Sequence, residues 1–292
     1  MPAVSVSETR GAQLTLILTR RCQKTCPDCP VAPGSADMTA PVLKKAISLF
    51  AASGRTDGSV KFFGGEPLLR FDLIEAGVSR LSRNGFGGAV EVGTNGLLLD
   101  TAKLEYFSAR PRVQINLNSL VSVNRKFSAL PNLVWNLLVP PDDPLSALRV
   151  LSRVRKASGR TPPRINVLPA YYREWSAESL AMLEKILERA KGLAGAGEIR
   201  LENAARWGPI PLFNSGITVD TDGRYYHSNL VLAARPVSAA KALLAGDLNT
   251  PRFKVPAPGR PDLLAIAKRI FGVKALAGGL AADRLAERVF SG

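Results

Sequence analysis

Thiols and imidazoles are scarce in this chain of 292 residues, which holds three cysteines and one histidine. An odd cysteine count argues against a disulfide framework, because one thiol is always left over. A structural zinc site ordinarily takes four ligands from cysteine pairs or histidine partners. The only histidine, His227, lies far downstream of all three cysteines. Aromatic residues are also few, at 7%. No apolar run reaches the roughly 20 residues that span a membrane. The first thirteen residues are polar and carry no apolar signal core. Clustered thiols without an export signal predict a cytoplasmic protein.

Charge of one sign dominates what remains. The chain has 39 Lys and Arg against 24 Asp and Glu, a net charge of +15. Such a surface favours acidic partners or anionic cofactors. The basic residues are spread along the chain, which makes nucleic acid the weaker reading. With 46% hydrophobic and 22% charged residues the composition is that of an ordinary globular protein.

All three cysteines fall in one stretch, Cys22-Gln-Lys-Thr-Cys26-Pro-Asp-Cys29, which reads C-x3-C-x2-C. Three thiolates this close can hold three corners of a [4Fe–4S] cubane, which normally takes four. With no fourth cysteine, one iron would stay open for a substrate or cofactor.

On this motif the chain resembles the radical S-adenosylmethionine (SAM) enzymes. The resemblance implies a partial (β/α)6 barrel with the motif just after its first strand. It implies that SAM chelates the open iron and is cleaved by an electron from the cluster to methionine and a 5′-deoxyadenosyl radical. The electron would come from a donor such as flavodoxin or ferredoxin. One departure is Asp28, where relatives usually place an aromatic residue near the adenine.

The pattern along the chain agrees with strands alternating with helices, which predicts βαβ units and a parallel sheet. Strands are expected at 14–19, 60–63, 89–94, 113–118, 133–139 and 164–168, and helices near 39–54, 71–84, 144–157 and 176–191. Val60-Lys-Phe-Phe63 runs directly into Gly64-Gly65-Glu66-Pro67. In the family this turn matches a GGE motif that holds the amino group of SAM. A methyl group on Gly65 is therefore expected to weaken SAM binding and spare the cluster. Thr94 and Asn95, at the end of the third strand, resemble polar residues that face SAM. Asn116 and Asn118 stand where many relatives have a ribose-binding serine. In relatives an apolar residue near the end of the sixth strand packs on adenine, which makes Leu168 the candidate here.

After residue 205 the pattern changes. Ile217 to His227 reads as a β-hairpin around Asp222-Gly223. It resembles the hairpin that opens the SPASM or twitch extension of radical SAM peptide maturases. The cysteines that hold auxiliary clusters there are missing. The expected organisation is a barrel over 1–205, a degenerate extension over 206–250 and a helical tail over 251–292. That tail carries eight basic and three acidic residues. The first strand begins near Leu14, so no N-terminal leader-binding domain is expected. Tyr171, Tyr172, Tyr225 and Tyr226 are the candidate catalytic side chains for returning a hydrogen atom, and His227 is a candidate for a substrate or proton-transfer role. The favoured reading is a one-cluster enzyme acting on a peptide or protein. The alternatives are a radical enzyme on a small metabolite or nucleotide, and a non-catalytic scaffold that binds a cluster or SAM.

Overall fold

The computed structural model describes residues 13–26, 29–52, 58–118, 123–170, 172–204, 216–234, 237–248 and 262–291. Its contacts divide the chain into two units, one of 1–93 with 211–270 and one of 94–210 with 271–292.

The first unit is built on β1 (Gln13–Thr19), in which every residue from Leu14 to Thr19 is buried. An uninterrupted apolar strand of this kind is covered on both faces, as parallel strands are. It pairs in parallel with β2 (Ser59–Gly64), and β2 pairs in parallel with β3 (Ala89–Thr94). Helix α1 (Ala40–Ala52) buries Leu43, Ala46, Ile47 and Phe50, spaced to fall on one face. Helix α2 (Phe71–Arg83) packs against α1 and buries Leu73, Ile74 and Leu81. Val78 is half-buried. The expected helix end at Gly54 lies outside the described residues.

The hairpin joins the same sheet. Strand β8 (Ile217–Val219) runs parallel to β1, with Leu16 opposite Val219. Strand β9 (Arg224–Tyr226) folds back against β8, and β10 (Leu244–Asp247) pairs antiparallel with β9. A short helix α6 (Val237–Leu243) precedes β10. Helix α7 (Leu263–Phe271) completes the elements that lie mostly in this unit.

In the second unit β4 (Val113–Asn118), β5 (Leu133–Val139), β6 (Arg164–Pro169) and β7 (Arg200–Leu201) form consecutive parallel pairs. Helices α4 (Leu145–Ser158) and α5 (Ala177–Gly195) follow β5 and β6. Ser176 caps α5 by accepting from the Ser179 N–H at 3.1 Å. Helix α8 (Val273–Ser291) packs on α5, where Lys191 Nζ donates to the Val289 carbonyl at 2.8 Å. Helix α3 (Thr101–Ser108) is an addition to the sequence reading. Its signal is the cap Asp100, which accepts from the Lys103 N–H at 2.9 Å.

Candidate functional site

The cysteines lie on a loop that leaves β1 at its carboxyl end and returns to β1 before α1. Thr19 and Asp37 form an antiparallel bridge at the loop's base. Three further backbone bonds close it: Arg20 N to Ala36 O at 2.9 Å, Gly34 N to Arg20 O at 3.1 Å and Met38 N to Leu18 O at 2.8 Å. Loops with ends tied this closely stay compact without regular structure.

Asp37 fastens the base through side chains. It accepts from Thr19 Oγ1 at 2.6 Å and from Arg21 Nε and Nη2 at 2.9 and 2.6 Å. Burial alone would raise the Asp37 carboxyl. The hydrogen bonds from Arg21 and Thr19, with the charges of Arg21 and Arg70, outweigh it and hold the pKa below the ordinary carboxylate value.

No disulfide joins Cys22, Cys26 or Cys29, and all three are exposed or half-buried. The Lys24 N–H points at Cys22 Sγ at 3.4 Å, and Cys29 N donates to Cys26 O at 3.2 Å. Among the described residues no group of three His, Cys, Asp or Glu side chains is drawn together around a single ion. A cubane does not ask for that, since each thiolate takes a different iron. Thiols on one compact loop, with an amide aimed at a sulfur, fit a cluster's donor set. Pro27 and Asp28 lie outside the described residues.

The Gly64-Gly65-Glu66 turn is locked onto this loop. Gly65 N donates to Thr19 O at 2.8 Å, and Glu66 N donates to Arg21 O at 2.9 Å. Gly64 has φ +134°, and a Cβ there would stand 2.1 Å from Thr19 O. A Cβ on Gly65 would stand 2.2 Å from Arg21 O. Only glycine permits this approach. The atoms that exclude a methyl at Gly65 belong to the cysteine loop, so its substitution strikes that loop first, contrary to the sequence expectation. Glu66 is fully buried and caps the 3-10 turn Pro67–Arg70, accepting from Leu68 N at 3.0 Å. Pro67 occupies the first position of that turn.

The remaining candidates fall on both units. In the second, Thr94 and Asn95 are buried and accept from the N–H groups of Gly96 and Leu97, each at 3.0 Å. Asn116 is buried, and its side-chain oxygen accepts from Gln114 at 2.9 Å. Asn118 and Leu168 are half-buried on β4 and β6. Strand pairing sets Asn118 opposite Asn136 and Asn136 opposite Asn166. Asn166 donates to Asn136 at 3.0 Å. Beside this row Arg164 pairs with Glu202 and donates to Gln114. The intervening residues Ile115, Leu117, Trp135, Leu137, Ile165 and Val167 are buried. One face of this sheet is thus apolar and the other rich in carboxamides, where filled barrels ordinarily carry Val, Ile and Leu. Tyr172 stacks near Phe271, with ring centroids 6.0 Å apart. Tyr171 lies outside the described residues.

In the first unit Tyr225 and Tyr226 are buried in the hairpin. Burial, with the charges of Asp222 and Asp220, pushes the Tyr226 phenol above its ordinary pKa. His227 is half-buried, and its backbone N–H donates to Leu243 O at 2.9 Å.

No family model and no curated protein matches the sequence. Solved structures do resemble the fold. Hexahistidine-tagged anSMEcpe with bound AdoMet superposes with TM-score 0.70 at 12% identity, over 96% of this chain and 95% of that one. Native anSMEcpe with bound AdoMet and Cp18Cys peptide gives 0.69 at 11% identity, over 95% of each chain. Streptococcus suis SuiB bound to S-adenosylmethionine gives 0.59 at 12% identity, over 82% of this chain and 64% of that one. These neighbours are radical SAM enzymes. The chain has the radical SAM fold. Within that fold, a partial barrel of parallel strands and helices, the cysteine loop stands at a strand's carboxyl end. Parallel barrels carry their chemistry at that end.

Sequence reasoning did not single out Asp37, Asp220, Arg20 or Arg21. The available signal was the Arg-Arg pair directly before Cys22.

Proposed function

We propose that this chain is a radical SAM enzyme with one [4Fe–4S] cluster on Cys22, Cys26 and Cys29, acting on a peptide or protein. One observation carries the reading: the C-x3-C-x2-C loop is hydrogen-bonded to the Gly64-Gly65-Glu66 turn through Thr19 and Arg21. Two motifs with separate places in the sequence converge on one piece of backbone.

Cys22, Cys26 and Cys29 would hold the cluster, which would supply the electron for reductive cleavage of SAM. The residues of this chain hold and orient. The N–H bonds of an amino group need hydrogen-bond acceptors. The Gly65 and Glu66 N–H groups are directed back at the loop, so the turn serves the SAM amino group through its carbonyl oxygens. Thr94, Asn95, Asn116, Asn118 and Leu168 are assigned to the nucleoside half of SAM. The hairpin segment is read as an extension without auxiliary clusters, since all three cysteines of the chain are assigned to the one cluster.

The peptide assignment is supported by the anSMEcpe structure with Cp18Cys peptide and by the Streptococcus suis SuiB structure with precursor peptide SuiA. It is supported independently by the adjacent carboxamides of Asn136 and Asn166. Neutral groups that both donate and accept suit the uncharged amides of a main chain. Iron and sulfide analysis after anaerobic reconstitution tests the cluster: about four of each per chain are expected. A content near eight, with spectra of two distinct clusters, refutes the single-cluster reading. For the substrate, mass spectrometry of short peptides encoded beside the gene, incubated with enzyme and SAM, should show a changed mass. Turnover of a metabolite alone would decide for the small-molecule alternative.

A further inference from the structure

The hairpin holds the cysteine loop by a contact that none of its missing clusters could provide. Arg20, two residues before Cys22, donates from Nε to Asp220 Oδ1 at 3.1 Å and from Nη2 to Oδ2 at 2.6 Å. Both side chains are largely buried, at 16% and 12% exposure. The third nitrogen, Nη1, reaches the Ala32 carbonyl on the far side of the loop at 3.3 Å. The stem of Arg20 lies against Gly34, with Cβ 3.2 Å from where a side chain there would begin. Arg20 therefore threads the loop from its first residues to its last. A second tie runs from Ala32 N to Leu232 O at 2.8 Å, again between the loop and the hairpin segment.

Asp220 is itself fixed. It directly follows β8, whose pairing sets Val219 beside Leu16. Its N–H donates to Arg224 O at 2.9 Å, its carbonyl accepts from Gly223 N at 3.0 Å, and its carboxylate accepts from Thr221 N at 2.7 Å. A bidentate carboxylate on a short hairpin leaves a guanidinium little freedom.

We propose that Asp220 is a positioning residue for the cluster: it fixes Arg20, and through Arg20 the loop that bears Cys22, and it cancels a cation carried within the cysteine loop. This rests on the reading of that loop as a cluster site. Electrostatics gives the sign of the effect. Reduction adds negative charge to the cluster, and an uncompensated guanidinium stabilises the reduced form. Removing the Asp220 charge must shift the midpoint potential in the positive direction.

The test is redox titration of the reconstituted protein, followed by EPR, with the rate of cluster loss in air measured alongside. Asp220→Asn should show a more positive potential and a cluster lifetime shortened several-fold. The double variant Arg20→Gln with Asp220→Asn restores the charge balance without the clamp. Its potential should return toward wild type while its cluster lifetime stays short. Asp220→Glu keeps the charge and should keep the potential. An Asp220→Asn protein with wild-type potential and lifetime overturns the proposal, as does a double variant displaced as far as the single one. Wild-type protein that takes up no cluster overturns the cluster reading and this assignment with it. A wild-type cluster with an unmoved Asp220→Asn potential overturns the assignment alone.

Discussion

Gly65→Ala adds one methyl group at the point where the two motifs meet. That methyl would stand 2.2 Å from the Arg21 carbonyl oxygen, 2.7 Å from its carbon and 3.1 Å from Arg20 O. To reach ordinary contact the backbone must retreat by about 1 Å, and packed interiors yield poorly to such shifts. The retreat strains the bonds from Gly65 N to Thr19 O and from Glu66 N to Arg21 O. Each is worth about 1 kcal/mol, and overpacking adds roughly 1–3 kcal/mol. A total of about 3–5 kcal/mol is a large share of a domain's typical 5–15 kcal/mol. Because the displaced carbonyl belongs to the residue before Cys22, cluster occupancy should fall together with stability. The assay is a urea titration of the apoprotein paired with iron analysis after anaerobic reconstitution. Gly192→Ala is the control: Gly192 is an exposed residue within α5, and a Cβ there meets nothing within 4 Å. Alanine at that site should stabilise by about 0.5–1 kcal/mol. Wild-type urea midpoint and iron content in Gly65→Ala would refute the reasoning.

Asn132 is buried, and its amide nitrogen donates to the carbonyls of Phe107, Arg110 and Val113. Asn132→Ala should cost about 2–4 kcal/mol and lower the apoprotein's melting temperature by roughly 5–15 °C; an unchanged melting point would show that these bonds contribute nothing net. The depressed Asp37 pKa predicts acid sensitivity. Its contribution is present above the unfolded carboxylate value and is lost as pH falls through the lower folded value. Between about pH 5 and pH 3 the wild-type apoprotein should lose stability faster than Asp37→Asn; parallel pH profiles of the two would contradict this.

Much of the fold was legible because its signals are local. The apolar runs of β1, β2 and β5 and the periodic faces of α1 and α2 stand where alternation and spacing predict them. The hairpin turn at Asp222-Gly223 was equally plain. Helix α3 escaped because it buries only Phe107, so it shows no apolar face to detect. The parallel pairing of β8 with β1 was not legible, since its partners are about two hundred residues apart. The same holds for the site. The cysteines and the Gly-Gly-Glu turn announce themselves by spacing, whereas Asp37 and Asp220 take their meaning only from the arginines that folding brings to them. Gly65 carries a packing reason that spacing alone does not show. Its lack of a side chain accommodates the cysteine loop's own carbonyl.

The central claim is that the three thiols hold a cluster that cleaves SAM. Incubating the reconstituted protein anaerobically with SAM and dithionite, and quantifying 5′-deoxyadenosine and methionine by chromatography, tests it most directly. Wild type should form both products in equal amounts, and Cys26→Ala should form neither. Undiminished cleavage by Cys26→Ala, or none by a wild type carrying about four irons per chain, would contradict the account.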